Sequence, residues 1–137
     1  MRRVAVLAAA LTLFSRSIVP STIDQWRVSR NRPFRIVPSC VPYQTGTASW
    51  YGPGFHGRLT SSGEVYDQWG VTAAHRRLPL HTSIRVRRLD TGASVDVRVN
   101  DRGPYIDGRV LDLSREAARR LHMERRGLSE VQVYVCR

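Results

Sequence analysis

Apolar and polar positions alternate most regularly between residues 82 and 99. Ile84 and Val86 stand against Arg85 and Arg87, and Val95, Val97 and Val99 stand against Asp96 and Arg98, with Asp90-Thr91-Gly92 between the two runs. A period of two on either side of a turn whose glycine can adopt positive φ predicts a β-hairpin with one apolar face, over 82–89 and 95–99. The alternation returns in Val131, Val133 and Val135 against Gln132 and Tyr134, and shorter strands are predicted at 47–51, 71–74 and 110–113. About six short strands within about 90 residues favour a closed barrel, because closure removes edges that so small a sheet would leave exposed. One segment changes period: Leu113, Ala117, Ala118 and Leu121 form a helical stripe opposite Arg115, Arg119 and Arg120. Ser114 is placed to cap this helix, and Glu116 sits in its first turn, where the dipole favours negative charge.

Length and composition bound the rest. The chain has 137 residues, 42% hydrophobic and 24% charged, which fits one small globular domain. Its only sustained apolar run, residues 4–14, is too short for a spanning helix, which needs about 20 residues. Arg2 and Arg3 before this run, and Ser15 and Ser17 after it, make residues 1–17 a predicted signal peptide, with a short buried helix or an uncleaved anchor as the alternatives. Residues 18–45 carry Pro20, Pro33, Pro38 and Pro42 without a steady period and read as a linker or poorly ordered arm, leaving 46–137 as the folded domain.

The net charge is +11, from 22 basic residues that are all arginine. Such a chain is drawn to polyanions, so nucleic acid, an anionic membrane surface and an acidic wall polymer are all open; the arginines are scattered, which equally suits a solvated surface. Export decides how Cys40 and Cys136 are read. In an oxidising compartment an isolated pair is most simply a disulfide. Cys40 lies too far beyond the apolar run for a lipoprotein signal, and two distant cysteines make a poor metal site.

Three segments carry candidate chemistry. Residues 46–57 gather four glycines, Pro53, Trp50, Tyr51, Phe55 and His56, a composition that suits close backbone approach and stacking on a sugar ring, or an irregular strand end with core aromatics. Glu64 follows the Thr60-Ser61-Ser62-Gly63 turn, either as a site carboxylate or as a solvated loop acid, and His75 closes Thr72-Ala73-Ala74 as a general acid, a partner of a carboxylate or a structural imidazole. Asp101 and Arg102 follow the strand 95–99, where the guanidinium either holds the carboxylate ionised or clasps the turn. Two carboxylates and a histidine are a minimal set for glycosidic bond cleavage.

The segments 46–64 (GTASWYGPGFHGRLTSSGE), 71–82 (VTAAHRRLPLHT), 97–105 (VRVNDRGPY) and 109–121 (RVLDLSREAARRL) resemble, in order, the rare lipoprotein A (RlpA-like) family. The resemblance implies a mainly β fold, a six-stranded double-psi β-barrel with one or two short helices, related to expansins. It also implies lytic transglycosylase activity on peptidoglycan strands lacking stem peptides, with release of 1,6-anhydromuramoyl ends. Carried over by position, the implied catalytic residues are Asp101, Glu64 and His75, with Asp101 expected as principal acid/base, Glu64 assisting and His75 tuning one of them. Trp50, Tyr51, Phe55, His56 and Arg102 are expected to line the substrate groove. No metal or cofactor is expected, since a carboxyl group can protonate the leaving oxygen and the nucleophile is already in the sugar. The expected partner is the glycan strand rather than nucleic acid, and the expected protein is an exported, periplasmic or envelope-associated monomer without a lipid anchor. A non-catalytic, expansin-like wall-binding module is the alternative.

Overall fold

The computed structural model describes residues 38–137; the predicted signal peptide 1–17 and residues 18–37 of the predicted arm lie outside the described residues. Six strands follow in chain order: β1 Cys40–Trp50, β2 Thr72–Ala74, β3 Ser83–Arg88, β4 Ser94–Asp101, β5 Arg109–Leu113 and β6 Ser129–Cys136. They close into a barrel in the order β1-β5-β2-β4-β3-β6. Two pairings are parallel, β1 with β5 and β2 with β4, and the other four are antiparallel. Among the described residues no helix is long and apolar enough to cross a membrane.

Alternation fills the barrel as the pattern predicts. Ile84 and Val86 of β3, Val99 of β4, Leu111 and Leu113 of β5, and Val131 and Val133 of β6 are fully buried, each contributing about 1.5–3 kcal/mol of apolar burial. Arg88 also falls on the inward register of β3 and is buried. It is tolerated because its guanidinium is fully used, donating to Asp90 and to the carbonyls of Leu121 and His122. The helix, α1 Arg115–Arg120, begins where Ser114 accepts a hydrogen bond from the Ala117 N–H, and Ala117, Ala118 and Leu121 pack into the core. The same Ser114 hydroxyl accepts from the Thr72 N–H, so the cap also ties α1 to β2.

The first strand starts earlier than the sequence pattern indicates. Residues 40–45, read as part of the arm, belong to β1 and pair with β6. Pro42 and Gly46 hide this strand, but its first half has β6 on one side only, a setting in which a strand accepts proline. Cys40 and Cys136 are direct partners in that register and form the expected disulfide, closing the barrel across 96 residues of sequence.

Candidate active site

The site is built around the end of β4, where the alternation fails. Against Ala73 and Ala74 of β2, β4 sets Val99 and Asp101, so that Asn100 is an extra residue. This bulge buries Asn100 and re-aims the residue after it. Asp101 is therefore the last residue of a strand, not part of a loop beyond it as the sequence reading had it.

A small two-stranded loop packs against this strand end. Gly57 N–H donates to Tyr66 O, Tyr66 N–H to Arg58 O and Thr60 N–H to Glu64 O, with Gly63 at φ +85° making the reversal. The Ser62 N–H donates to Asn100 O, seating the turn on the bulge. Ser61 is thereby placed on Asp101: its N–H and hydroxyl both donate to Oδ1, at 2.9 and 2.7 Å. The Arg102 N–H adds a third bond to Oδ1 at 2.8 Å, while Oδ2 receives only the Tyr51 hydroxyl, at 2.9 Å. Burial pushes the Asp101 carboxyl up, but the bonds from Ser61, Arg102 and Tyr51 outweigh it and hold the group below the usual carboxylate range. Burial, then the bond to Asp101, push the Tyr51 phenol well above its ordinary value, so it remains a donor.

Asp101 opens on a groove of about 330 Å³ lined by Tyr51, Phe55, Tyr66, Arg58, Leu59, Thr60 and Arg102. Tyr51 packs on Tyr66 and Phe55 at centroid distances of 4.8 and 5.7 Å, and the Arg58 guanidinium lies 5.1 Å over the Phe55 ring. The groove thus offers aromatic faces, a fixed cation and one carboxylate.

Glu64, at the far end of the same turn as Ser61, is held by other residues of β4. Arg98 and Asn100, two residues apart on the strand, both reach it: Arg98 donates to Oε1 and Oε2 at 2.7 and 2.9 Å, and the Asn100 amide to Oε2 at 3.1 Å. These two partners bring the Glu64 carboxyl down to about 2. The group is partly open, at 37% exposure, and it does not line the groove around Asp101. Beside it stands His81, whose Nδ1 is 3.9 Å from Glu64 and 3.2 Å from Arg98.

His75 is 2% exposed, and its ring hydrogen-bonds to neither carboxylate. Its Nδ1 accepts the N–H groups of Arg77 and Leu78, each at 3.0 Å, which leaves the ring proton on Nε2 to donate to Gln44 Oε1 at 2.9 Å. Burial, followed by Arg102, Arg76 and Arg77, pushes the imidazole down and keeps it neutral at pH 7. Only the main chain of His75 reaches the site, its N–H donating to Asp101 O.

Of the five residues expected in the groove, Tyr51, Phe55 and Arg102 line it. Trp50 packs against the core with its indole N–H on Glu124 O, and the His56 imidazole accepts the Gln68 N–H; neither is among the lining residues of this groove. Of the two roles open to the Arg102 guanidinium, holding the carboxylate or clasping the chain, the geometry shows the second. It donates to the carbonyls of His75 and Leu78, and it is the main-chain N–H of Arg102 that holds the carboxylate. Sequence reasoning missed Ser61, whose only signal is the hydroxyl-dense turn 60–62, and His81, which gives no signal because a histidine occupies a φ of +72° where glycine would mark the turn.

Comparison with solved structures places the barrel. The chain is similar to Streptomyces papain inhibitor, with a TM-score of 0.53 and 20% identity over 72% of this chain and 98% of that one. It is similar also to the apo Clavibacter michiganensis expansin, with a TM-score of 0.51 and 25% identity over 68% of this chain and 49% of that one. The fold is the mainly β, six-stranded double-psi barrel with one short α-helix. A family model described as lytic transglycolase matches residues 43–133, and the chain belongs to that family. Relatives named endolytic peptidoglycan transglycosylase RlpA include one from Campylobacter jejuni, 50% identical over 88% of this chain and 44% of its own length. Another, from Pseudomonas aeruginosa, is 56% identical over 64% of this chain and 26% of its own length. The chain spans less than half the length of these relatives.

Proposed function

We propose that this protein is an endolytic peptidoglycan lytic transglycosylase, a carbon–oxygen lyase acting outside the cytoplasm on the β-1,4 bond between N-acetylmuramic acid and N-acetylglucosamine. The observation that carries the reading is the asymmetric hold on Asp101: three donors saturate Oδ1, and Oδ2, bonded only to Tyr51, is left to exchange a proton in an aromatic groove. In the proposed reaction the muramoyl O6 bonds to C1, the C1–O4 bond breaks, and the O6 proton ends on O4. No water is consumed. Asp101 starts and finishes ionised, taking the proton from O6 and delivering one to O4, so its lowered pKa suits the resting state. Tyr51, its single O–H committed to Oδ2, orients the Asp101 carboxylate. Phe55 and Tyr66 present faces to sugar rings.

Glu64 has a positioning role in this scheme. Clamped by Arg98 and Asn100, it locks the turn that delivers Ser61 to Asp101. His75 acts through its main chain and does not tune either carboxylate.

The test is mass spectrometry of peptidoglycan strands, stripped of stem peptides, after incubation with the protein. The expected products end in 1,6-anhydromuramic acid, lighter by one water than hydrolysed ends. Reducing ends would make the protein a hydrolase, and binding without fragments would make it an expansin-like wall module; either overturns the proposal.

A further inference from the structure

A second cavity, of about 400 Å³, opens beside the His75 loop and shares no lining residue with the groove around Asp101. Tyr43 and Gln44 of β1 line it together with three arginines, Arg76, Arg77 and Arg109, and no carboxylate is in the lining. Arg76 is committed to the fold, donating to the carbonyls of Pro104, Ile106 and Arg109. No ion pair among the described residues involves Arg77 or Arg109. Two cations facing one concavity without a counter-charge raise its affinity for an oxyanion, and the planar guanidinium matches a carboxylate with two parallel hydrogen bonds.

The remaining wall narrows the ligand class. Because His75 Nδ1 accepts two main-chain N–H groups, its Nε2–H must donate to the Gln44 carbonyl oxygen, which leaves the Gln44 NH₂ as a donor to the cavity. The Tyr43 ring stands edge-on to this imidazole, 5.8 Å between centroids, and presents an exposed aromatic surface. An aromatic face, an amide donor and two unopposed guanidinium groups suit a sugar that carries a carboxylate. The loop separating the two cavities is fixed to the catalytic strand, since the His75 N–H donates to Asp101 O and the Arg102 guanidinium holds the His75 and Leu78 carbonyls at 3.1 and 2.7 Å. The loop that lines this cavity is therefore held rigidly against the strand that carries Asp101.

We infer that this cavity is a second glycan subsite, in which Arg77 and Arg109 bind a carboxylate of the strand and His75 positions Gln44 beside it. The inference rests on the peptidoglycan reading above. Two groups of that polymer supply a carboxylate: the lactyl ether of N-acetylmuramic acid once its stem peptide is gone, and the stem peptide itself.

The experiment measures binding, not cleavage, so that it stands apart from the proposed activity. The full chain carrying Asp101→Asn, alone or with Arg77→Gln and Arg109→Gln, is titrated with three probes: strands without stem peptides, strands with them, and chitohexaose, which has no carboxylate. The expected result is an approximately tenfold loss of affinity in the arginine variant for strands without stem peptides, with chitohexaose changed less than twofold. A loss confined to peptide-bearing strands supports the site and assigns the carboxylate to the peptide. No loss on either strand, or an equal loss on chitohexaose, overturns the inference. Arg77→Gln alone, at an exposed side chain, repeats the test if the double variant melts early. Carboxylate-dependent binding by a protein whose wild type yields no anhydro ends would sink the activity and leave the subsite standing.

Discussion

Replacing Tyr51 with Phe removes one oxygen and keeps the ring on Tyr66 and Phe55. The lost group is the sole hydrogen-bond donor to Asp101 Oδ2 among the described residues, at 2.9 Å. A hydrogen bond to an ionised group is worth about 1.5–3 kcal/mol. Three donors remain on Oδ1 and the carboxyl is only partly buried, so the lower end applies, and the Asp101 midpoint should rise toward the ordinary carboxylate range. The direction follows from linkage. Asp101 is depressed in the folded protein, so the stability its ionised form contributes is present above the unfolded midpoint and is lost as pH falls through the folded one. Tyr51→Phe should thus be less stable than wild type by about 1–1.5 kcal/mol at pH 7, and the gap should narrow as pH falls below the unfolded midpoint and through the folded one. Carbon-detected NMR titration of the Asp101 carboxyl reads the midpoint, and urea melts at pH 7 and pH 3 read the stability. The acid limb of the pH–rate profile should move up with the midpoint, because the scheme starts from ionised Asp101. An unmoved NMR midpoint in a folded variant would refute the assigned hold on the carboxylate. A midpoint that moves while the acid limb stays put would refute Asp101 as the group controlling the rate.

Three further outcomes follow from other parts of the molecule. Arg98→Gln removes the bidentate partner of Glu64, so the Glu64 midpoint should climb from about 2 toward the ordinary range, and turnover should fall as the Ser61 turn loosens, both readable by NMR titration and product assay. Cys40→Ser with Cys136→Ser opens a loop spanning 96 residues of sequence; the chain-entropy model puts the loss at about 4–5 kcal/mol, and a melting temperature about 20–30 °C lower is expected by calorimetry. Arg88→Leu leaves the carbonyls of Leu121 and His122 without their donor, while Asp90 keeps Arg126 and the Thr91 N–H, and denaturant melts should record a loss of about 2–3 kcal/mol.

The fold was legible because alternation is a local signal that survives in each strand that lines the core. Val95, Val97 and Val99 point inward as the period of two requires, and the helix stripe at Ala117, Ala118 and Leu121 packs as its period of 3.6 requires. The exceptions share one cause, a polar or breaker residue whose tolerance depends on a distant partner. Pro42 is accepted in β1 because only β6 flanks it there, and Asn100 is buried because Glu64 and the bulge absorb it. The site was half legible. Asp101 and Glu64 were identifiable as carboxylates at turns, but the partners each takes, Ser61 and Tyr51 for one and Arg98 and Asn100 for the other, follow from the bulge and the turn seated on it, which have no signature in composition. The same limit applies to His75: a histidine after a small-residue strand reads as a partner for an acid, and only the main-chain N–H groups of Arg77 and Leu78 reveal that its ring serves Gln44.

The central claim is that Asp101 carries the proton transfer, and product analysis of Asp101→Asn tests it most directly. The isosteric amide keeps oxygen and shape but cannot take a proton at neutral pH. Wild-type protein and the variant, matched for fold by circular dichroism and for strand binding, are incubated with peptidoglycan lacking stem peptides and the products are weighed by mass spectrometry. The account predicts anhydro-ended fragments from the wild type and none from the variant. Anhydro-ended fragments released by Asp101→Asn at the wild-type rate would contradict it.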